Sequence, residues 1–161
     1  MANGTAPTIV IMVRHGDRNT PTRVNPDTNP HLNTAGKDRA LILSGVLSRA
    51  NVKAVYTSNT FRSKETAEPL ATKLRLSPTV IDEVSKVDEA LKLKNDILSN
   101  NAGKTVLVVG HTDTIPELIR QLGGENMPDI DDKEFDNLFV VTVFSPGKAS
   151  VTKLKYGKPT P

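Results

Sequence analysis

Two histidines in the sequence each follow a strongly apolar segment and lie beside a glycine. His15 comes between Arg14 and Gly16, and His111 comes directly after Gly110. A glycine lets the backbone turn and approach a ligand closely. In an open α/β sheet, ligands bind at the carboxyl ends of the strands. Two such strands lying side by side would therefore direct both imidazoles into one crevice.

A third polar segment, Ser58–Arg62, follows another short apolar stretch and brings a second arginine. Arg62 falls on the first turn of the helix predicted there, from which it can reach the same crevice as Arg14. Arginines form forked, charge-assisted hydrogen bonds to phosphate oxygens. The backbone N–H groups at the start of the helix after His111 also favour an anion. Histidines and arginines converging on one place therefore predict phosphoryl chemistry.

The segments that position these residues alternate between apolar strands and helices. Continuous β-branched apolar runs predict strands buried on both faces, as in a parallel sheet, and apolar residues at helical spacing predict helices. The alternation predicts an α/β fold, a three-layer α/β/α sandwich with a mostly parallel central sheet. The predicted strands are Thr8–Arg14, Val52–Thr57, Pro78–Ile81, Thr105–Gly110, Asn137–Phe144 and Ala149–Tyr156, and the predicted helices are Thr34–Arg49, Thr60–Leu74, Asp88–Asn100 and Thr112–Leu122.

Long loops complete this plan. Asp17–Asn33 is polar and contains three prolines, and loops of this length without secondary structure of their own are often functional. Glu125–Asp136 carries six carboxylates and one lysine. We expect both loops to frame the mouth of the pocket.

Length and composition exclude several classes of protein. At 161 residues the chain is predicted to form a single domain, residues 1–161, with residues 1–7 as a loose terminus. It has no cysteine, which excludes disulfide frameworks, thiol catalysis and thiolate metal sites. With three histidines it is also a poor candidate for a histidine metal cage, so we expect no metal.

Charge and hydropathy bear on partners and location. The net charge of +3 suits an anionic small molecule slightly better than a cationic one. Aromatic residues make up 4% of the chain, which disfavours single-stranded nucleic-acid binding because base stacking needs aromatic surfaces. No apolar run approaches the ~20 residues of a membrane-spanning helix. We expect no nucleic-acid or membrane partner and a cytoplasmic protein, or an exported one whose signal peptide has been removed; the sequence predicts no oligomeric state.

Several segments stand in the order and spacing of a known family. They are Val13–Gly16, Asn29–Gly36, Tyr56–Ala67 and Val109–His111. They resemble the histidine phosphatase superfamily, which implies a phosphoglycerate mutase-like fold. The short form, without long helical insertions, is most similar to small bacterial SixA-type phosphohistidine phosphatases, as is the segment His111–Gly124.

The resemblance implies a role for each matching residue. His15 would be the nucleophile that takes the phosphoryl group on a ring nitrogen, and Arg14 and Arg62 would hold the phosphate oxygens. His111 would donate to the phosphoryl group during transfer, and water would then hydrolyse the phosphohistidine. Such a site works by positioning and electrostatics and needs no metal or other cofactor. The substrate would be a phosphorylated small molecule or a phosphohistidine protein.

Some positions depart from the pattern of the family. Asn33 stands where most members have Ser or Thr. Arg18 is placed like the arginine that helps to bind phosphate in the acid phosphatase and phytase branch, so it is a candidate substrate contact. Asn19, Ser58 and Thr112 are further candidates for lining the pocket.

The proton donor for the leaving group has no clear match. Glu83 lies in the region where larger members carry a glutamate, but the flanking motif is missing. Asp17 and Asp113 are the rival candidates, although Asp113 lies near a helix N-terminus, which favours an ionised carboxylate and makes a poorer acid. Because a phosphohistidine leaving group needs less help, a site without a dedicated acid would favour phosphohistidine or another labile phosphate.

We therefore expect a metal-independent phosphatase that hydrolyses a phosphomonoester or phosphohistidine through an intermediate on His15. Two alternatives stay open. A phosphosugar mutase would return the phosphate to a bound product, but the insertion and the acid motif of mutases are missing. A phosphate-binding module without turnover would not require the full set of reactive residues that this chain carries.

Overall fold

A six-stranded sheet forms the centre of the fold in a computed structural model that describes residues 5–24 and 26–161. The strands are β1 (Thr8–Arg14), β2 (Val52–Thr57), β3 (Thr79–Val80), β4 (Thr105–Gly110), β5 (Asn137–Ser145) and β6 (Lys148–Lys155). Their order across the sheet is β3-β2-β4-β1-β5-β6. The strands β1 to β4 run parallel, and β5 and β6 continue the sheet antiparallel. The prediction of a mostly parallel sheet is confirmed.

Helices cover both faces of this sheet. They are α1 (Thr34–Val46), α2 (Phe61–Leu74), α3 (Lys86–Asn100) and α4 (Thr114–Gln121). Successive residues of a strand point to opposite faces. Val10 and Met12 share a core with residues of α3 and α4, whereas Ile11 and Val13 share one with residues of α1 and α2. The result is the predicted three-layer α/β/α arrangement. Within residues 5–24 and 26–161, no helix is long and apolar enough to cross a membrane.

Capping side chains set helix starts that differ slightly from the predicted ones. Ser85 accepts a hydrogen bond from the backbone of α3, so that helix begins at Lys86, earlier than predicted. Asp113 caps α4, which begins at Thr114, later than predicted. Such caps satisfy the N–H groups that have no partner within a helix. Local hydrogen bonding therefore decided these boundaries, which apolar spacing alone could not resolve.

The helix α1 and the strand β3 are also shorter than predicted. α1 ends at Val46 instead of Arg49, and β3 contains two exposed residues instead of covering Pro78–Ile81. Of the terminus predicted to be loose, residues 5–7 are exposed and outside any helix or strand, and residues 1–4 lie outside the described residues. None of these differences moves a strand end that carries a candidate site residue.

The start of α1 packs against the end of β1 with no room for a side chain. A Cβ on Gly36 would lie 2.0 Å from the carbonyl oxygen of Asp17, and a Cβ on Gly16 would lie 2.9 Å from the carbonyl oxygen of Gly36. Asn33 caps this helix, because its Oδ1 accepts a hydrogen bond of 2.9 Å from the backbone N–H of Gly36. Asn33 thus acts as the N-cap of α1, a position that Ser and Thr also suit.

The buried guanidinium of Arg39 ties this junction to the C-terminal segment. Its Nε donates to Oδ2 of Asp17 at 2.7 Å, and its Nη1 and Nη2 donate to the carbonyl oxygens of Tyr156 at 3.1 Å and Lys158 at 2.9 Å. A buried charge with its hydrogen bonds satisfied in this way holds its partners firmly. The loop that leaves His15 is therefore anchored at its first residue.

The two glycines of α1 provide a matched test of this close approach. Gly36→Ala should lower the free energy of unfolding by about 2 kcal/mol or more, because the new methyl group overlaps the backbone of Asp17. Gly45→Ala should raise it by about 0.5–1 kcal/mol, because nothing lies within 4 Å of that position and alanine favours the helix. Urea denaturation followed by circular dichroism measures both, and equal effects at the two positions would contradict the packing described.

Candidate active site

His15 lies at the carboxyl end of β1, where its side chain is 3% exposed. Its backbone N–H donates to the carbonyl oxygen of Gly110 at 3.1 Å, which joins the ends of β1 and β4. Its Nδ1 lies 2.8 Å from the carbonyl oxygen of Gly16. Because a carbonyl can only accept, Nδ1 must carry the proton in the neutral ring, and Nε2 keeps its lone pair.

His111 shares this crevice, as expected from neighbouring strands. The centroids of the His15 and His111 rings are 5.3 Å apart, and the rings meet edge to face. The Nε2 atom of His111 forms a 2.7 Å hydrogen bond with Oγ of Ser58, which is itself buried and lies 3.1 Å from Oγ1 of Thr60. The sequence-predicted Ser58 thus contacts the second histidine and fixes its ring.

Arg14 is buried and is held mainly by main-chain oxygens. Its Nη1 donates to the carbonyl oxygens of Asp131 at 3.2 Å, Asp132 at 2.9 Å and Glu134 at 3.0 Å. The ring of Phe135 covers the guanidinium at 4.1 Å. The loop Glu125–Asp136, called the acidic loop below, therefore packs against the site through its backbone and Phe135. The Nε atom of Arg14 is buried and has no hydrogen-bond partner in the described part of the chain.

Arg62 and Arg18 add further unpaired donors. The Nε and Nη1 atoms of Arg62 and the Nε atom of Arg18 are buried and, among the residues described, have no hydrogen-bond partner. A buried donor without a partner is costly. Burial, followed by the charge of Arg18, lowers the pKa of Arg62. Cations crowded together with unused N–H groups fit a bound oxyanion, which supplies both acceptors and negative charge.

A buried hydroxyl holds the start of α2 against the end of β1. Oγ1 of Thr66 accepts a hydrogen bond of 2.8 Å from the backbone N–H of Gly16 and donates to the carbonyl oxygen of Arg62 at 2.7 Å. Oγ of Ser63 donates to the carbonyl oxygen of Val109 at 2.7 Å. These contacts place Arg62 beside both histidines. The sequence analysis missed Thr66 and Ser63, although both lie within one helical turn of Arg62.

Both histidines are neutral near pH 7. Burial lowers the pKa of His15 from 6.5 to about 2, and the charges of His111 and the arginines act in the same direction. Burial, followed by the charge of Arg62, lowers the pKa of His111 from 6.5 to about 4. A low-dielectric site beside cations disfavours a further positive charge. His15 therefore keeps a free lone pair over the whole physiological pH range.

The carboxyl groups predicted as proton donors already have partners. Asp17 pairs with Arg39, and Glu83 pairs with Lys92 in a groove along α3 that none of the histidines and arginines described above lines. Asp113 caps α4 directly after the His111 segment. Its charge acts on His111 and favours the protonated ring. Of the three candidates, Asp113 is thus the one whose charge reaches His111.

The other predicted pocket residues contribute through their backbone. The carbonyl oxygen of exposed Asn19 accepts a hydrogen bond of 3.3 Å from Arg18. The carbonyl oxygen of Thr112 accepts one of 2.9 Å from the N–H of Ile130. Thr112 thereby attaches the acidic loop to the loop that carries His111.

Glu89 is a buried carboxyl group beside the site that the sequence analysis missed. It is 8% exposed, and burial raises its pKa from 4.5 to about 7. The hydroxyl of Thr114 and the backbone of Glu83 hydrogen-bond to it and act in the opposite direction, whereas the charges of Asp82 and Asp113 raise the pKa further. The charge of exposed Asp82 also acts on His111. An acidic residue in the first turn of a helix is usually solvated, so the position of Glu89 in α3 does not predict its burial.

The lowered pKa values of the histidines predict acid sensitivity. In the unfolded chain each histidine ring is protonated as the pH falls below about 6.5, whereas in the folded protein it stays neutral. Because only the unfolded state takes up these protons, the free energy of unfolding decreases as the pH falls below that value. Between pH 7 and pH 5 each histidine should remove about 2 kcal/mol from the free energy of unfolding. His15→Asn or His111→Asn should shrink this fall by that amount in urea denaturation at the two pH values. Parallel curves for variants and parent would contradict the assignment.

The raised pKa of Glu89 predicts the opposite pH dependence. Its neutral form is favoured on folding, so the contribution is present below pH 4.5 and is lost as the pH rises through about 7. Glu89→Gln should therefore stabilise the protein at pH 8 by about 2 kcal/mol and have no such benefit at pH 4.5. Thermal denaturation at both pH values measures this, with Glu68→Gln on the exposed surface of α2 as control. A benefit that is independent of pH would contradict it.

Comparisons with known proteins bear on the family and the fold of the chain. The family model for the histidine phosphatase superfamily (branch 1) matches residues 10–89, which include His15, Arg18 and Arg62. No curated protein sequence matches the chain. The other similarities are to solved structures.

Three solved structures share the fold. The protein histidine phosphatase SixA complexed with tungstate has a TM-score of 0.71 at 18% identity, over 91% of this chain and 96% of that one. A putative phosphohistidine phosphatase SixA from Agrobacterium tumefaciens has a TM-score of 0.67 at 19% identity, over 95% and 99%. A mycobacterial glucosyl-3-phosphoglycerate phosphatase has a TM-score of 0.70 at 14% identity, over 94% and 100%. At these identities the likeness to the solved structures is one of fold, and the family model that matches residues 10–89 is that of the histidine phosphatase superfamily.

Proposed function

We propose that this protein is a metal-independent phosphatase that hydrolyses a phosphomonoester or phosphohistidine through a covalent intermediate on His15. The observation that carries the proposal is a buried, neutral imidazole with a free Nε2 lone pair, together with arginine N–H groups that have no partner among the described residues. A nucleophile and an oxyanion site at one strand end are the minimum for phosphoryl transfer.

In the first step, Nε2 of His15 attacks the phosphorus atom. The nitrogen lone pair forms the N–P bond, and the bond from phosphorus to the leaving oxygen or nitrogen breaks with its electron pair. Negative charge spreads over the phosphoryl oxygens, and we assign Arg14, Arg62 and Arg18 to hold these oxygens. The arginines supply the positive charge that a metal ion supplies in other phosphoryl-transfer sites, which is our reason for proposing that no metal takes part.

His111 is the second imidazole of the site. Its neutral ring faces His15 and is held by Ser58. A bound phosphoryl group brings negative charge, which raises the pKa of a nearby imidazole. We assign His111 to donate a hydrogen bond to the phosphoryl group as charge develops, first in transfer to His15 and then in hydrolysis.

The leaving group takes a proton, and two carboxyl groups are the remaining candidates to supply it. Asp113 and Asp82 both act electrostatically on His111. Asp17 and Glu83 are occupied in ion pairs. A phosphoramidate needs less protonation than a phosphoester, so phosphohistidine is proposed as a substrate beside phosphomonoesters.

Water then attacks the phosphorus of the intermediate. The N–P bond breaks, its electron pair returns to Nε2, and inorganic phosphate leaves. We assign the activity to the cytoplasm, where phosphorylated metabolites and phosphohistidine proteins are formed.

Phosphate release in EDTA tests this proposal. The parent protein should hydrolyse p-nitrophenyl phosphate or a phosphohistidine protein, and His15→Ala should lose about 10³-fold or more of kcat because the nucleophile is gone. His31→Ala is the matched control, because the side chain of His31 is 60% exposed and pairs with Glu65 at the surface. It should keep activity within about threefold.

Other outcomes would redirect the proposal. Turnover that survives His15→Ala, or that EDTA abolishes, would contradict it. Interconversion of 2- and 3-phosphoglycerate without free phosphate would indicate a mutase. Tight binding of phosphate with no turnover of either substrate would indicate a binding module.

A further inference from the structure

A cavity of about 460 Å³ lies between the loop Asp17–Asn33 and the start of α2. Arg18 and Arg62, both with buried N–H groups, line it together with the exposed Arg23. Ligand pockets commonly measure ~300–1,000 Å³. The cavity is therefore large enough for a small molecule and not merely for a phosphoryl group.

The cavity shares Arg18 and Arg62 with the proposed phosphoryl site. Arg62 lines the cavity, and its charge lowers the pKa of both His15 and His111. Arg18 lines it as well, and its charge lowers the pKa of Arg14. A molecule that places a phosphoryl group at His15 would thus extend its remaining atoms into this cavity.

The charges of the cavity are not balanced. Arg18, Arg23 and Arg62 face a single lining carboxylate, Asp27. The Asp27 carboxylate already accepts the backbone N–H of Asn29 at 3.0 Å, and its charge acts on Arg62. If Arg62 and Arg18 hold phosphoryl oxygens, Arg23 remains as a cation without an ion pair among the described residues.

Prolines stiffen the loop that presents Arg23. Pro21, Pro26 and Pro30 all line the cavity, and Pro30 is buried. Proline fixes the backbone angle φ and lowers the entropy that a loop loses when a ligand binds. The loop is also anchored at Asn29, whose Oδ1 accepts the backbone N–H of Phe61 at 3.1 Å. A charged side chain on such a loop is suited to recognition.

We propose that Arg23 recognises a second anionic group, a carboxylate or a second phosphate, on a small substrate whose phosphoryl group lies at His15. The inference rests on the proposed phosphatase function and narrows its substrate class. A phosphohistidine side chain on a protein surface would deliver its phosphoryl group to His15 but would leave the cavity and Arg23 unused. A small phosphomonoester with a second anionic group would contact both the phosphoryl site and Arg23.

Matched substrate pairs test the proposal with purified full-length protein. 6-Phosphogluconate carries a carboxylate where sorbitol 6-phosphate carries a hydroxymethyl group. 3-Phosphoglycerate and glycerol 3-phosphate differ in the same way, with the carboxylate closer to the phosphate. Fructose 1,6-bisphosphate against fructose 6-phosphate tests a second phosphate. The preference is the ratio of the two kcat/KM values within a pair. It is measured for the parent, for Arg23→Gln and for the control Arg49→Gln. Arg49 is an exposed arginine beyond the C-terminal end of α1, and its substitution removes the same charge.

We expect the parent to prefer the additional anionic group in at least one pair by about tenfold. Arg23→Gln should bring that ratio close to one, and Arg49→Gln should leave it unchanged. Added salt should lower the preference of the parent, because Arg23 is exposed and its charge is screened. The pair with the largest ratio identifies the anion and its distance from the phosphoryl group.

The outcomes separate this inference from the function on which it rests. Hydrolysis of p-nitrophenyl phosphate with no preference in any pair, or a preference that survives Arg23→Gln, would overturn the role of Arg23 and leave the phosphatase proposal intact. A phosphohistidine protein preferred over every small molecule would do the same. No turnover of any of these substrates would overturn both.

Discussion

The hydrogen bond from Nδ1 of His15 to the carbonyl oxygen of Gly16 is the contact on which the site depends. It fixes the neutral tautomer and leaves Nε2 as the only ring atom able to attack. The Gly16 backbone must therefore be held in place, which Thr66 does from α2 and the close packing of Gly36 does from α1. Both helices therefore hold the backbone at the end of β1.

A second constraint is the concentration of positive charge around that imidazole. Main-chain oxygens of the acidic loop hold Arg14 in place without neutralising it, and the carboxylate of Asp132, 3.8 Å away, is 89% exposed. Burial lowers the pKa of Arg14 to about 10, Asp132 acts against this, and Arg18 and Arg62 lower it further. The site is thus cationic and buried, and such an environment strengthens the electrostatic stabilisation of a phosphoryl group.

Much of this arrangement can be predicted from the sequence. The apolar runs of β1, β2 and β4 give the strand ends, and polar residues directly after them give His15, His111 and Ser58. Contacts made by backbone atoms cannot be predicted from residue types, because every residue has the same carbonyl group. The carbonyl oxygens of the acidic loop that hold Arg14 are an example. Burial of an isolated charged residue, as at Glu89, and the cavity in front of Arg23 depend on how segments distant in sequence pack, so they emerge only in three dimensions.

Nitrogen-15 NMR of the histidine side chains tests the central claim most directly, because it reports the tautomer and charge of each ring without substrate or substitution. The account predicts that His15, assigned by comparison with His15→Gln, stays neutral between pH 5 and pH 8 with the proton on Nδ1 and a free Nε2. A His15 that titrates near pH 6.5, or that carries its proton on Nε2, would contradict it.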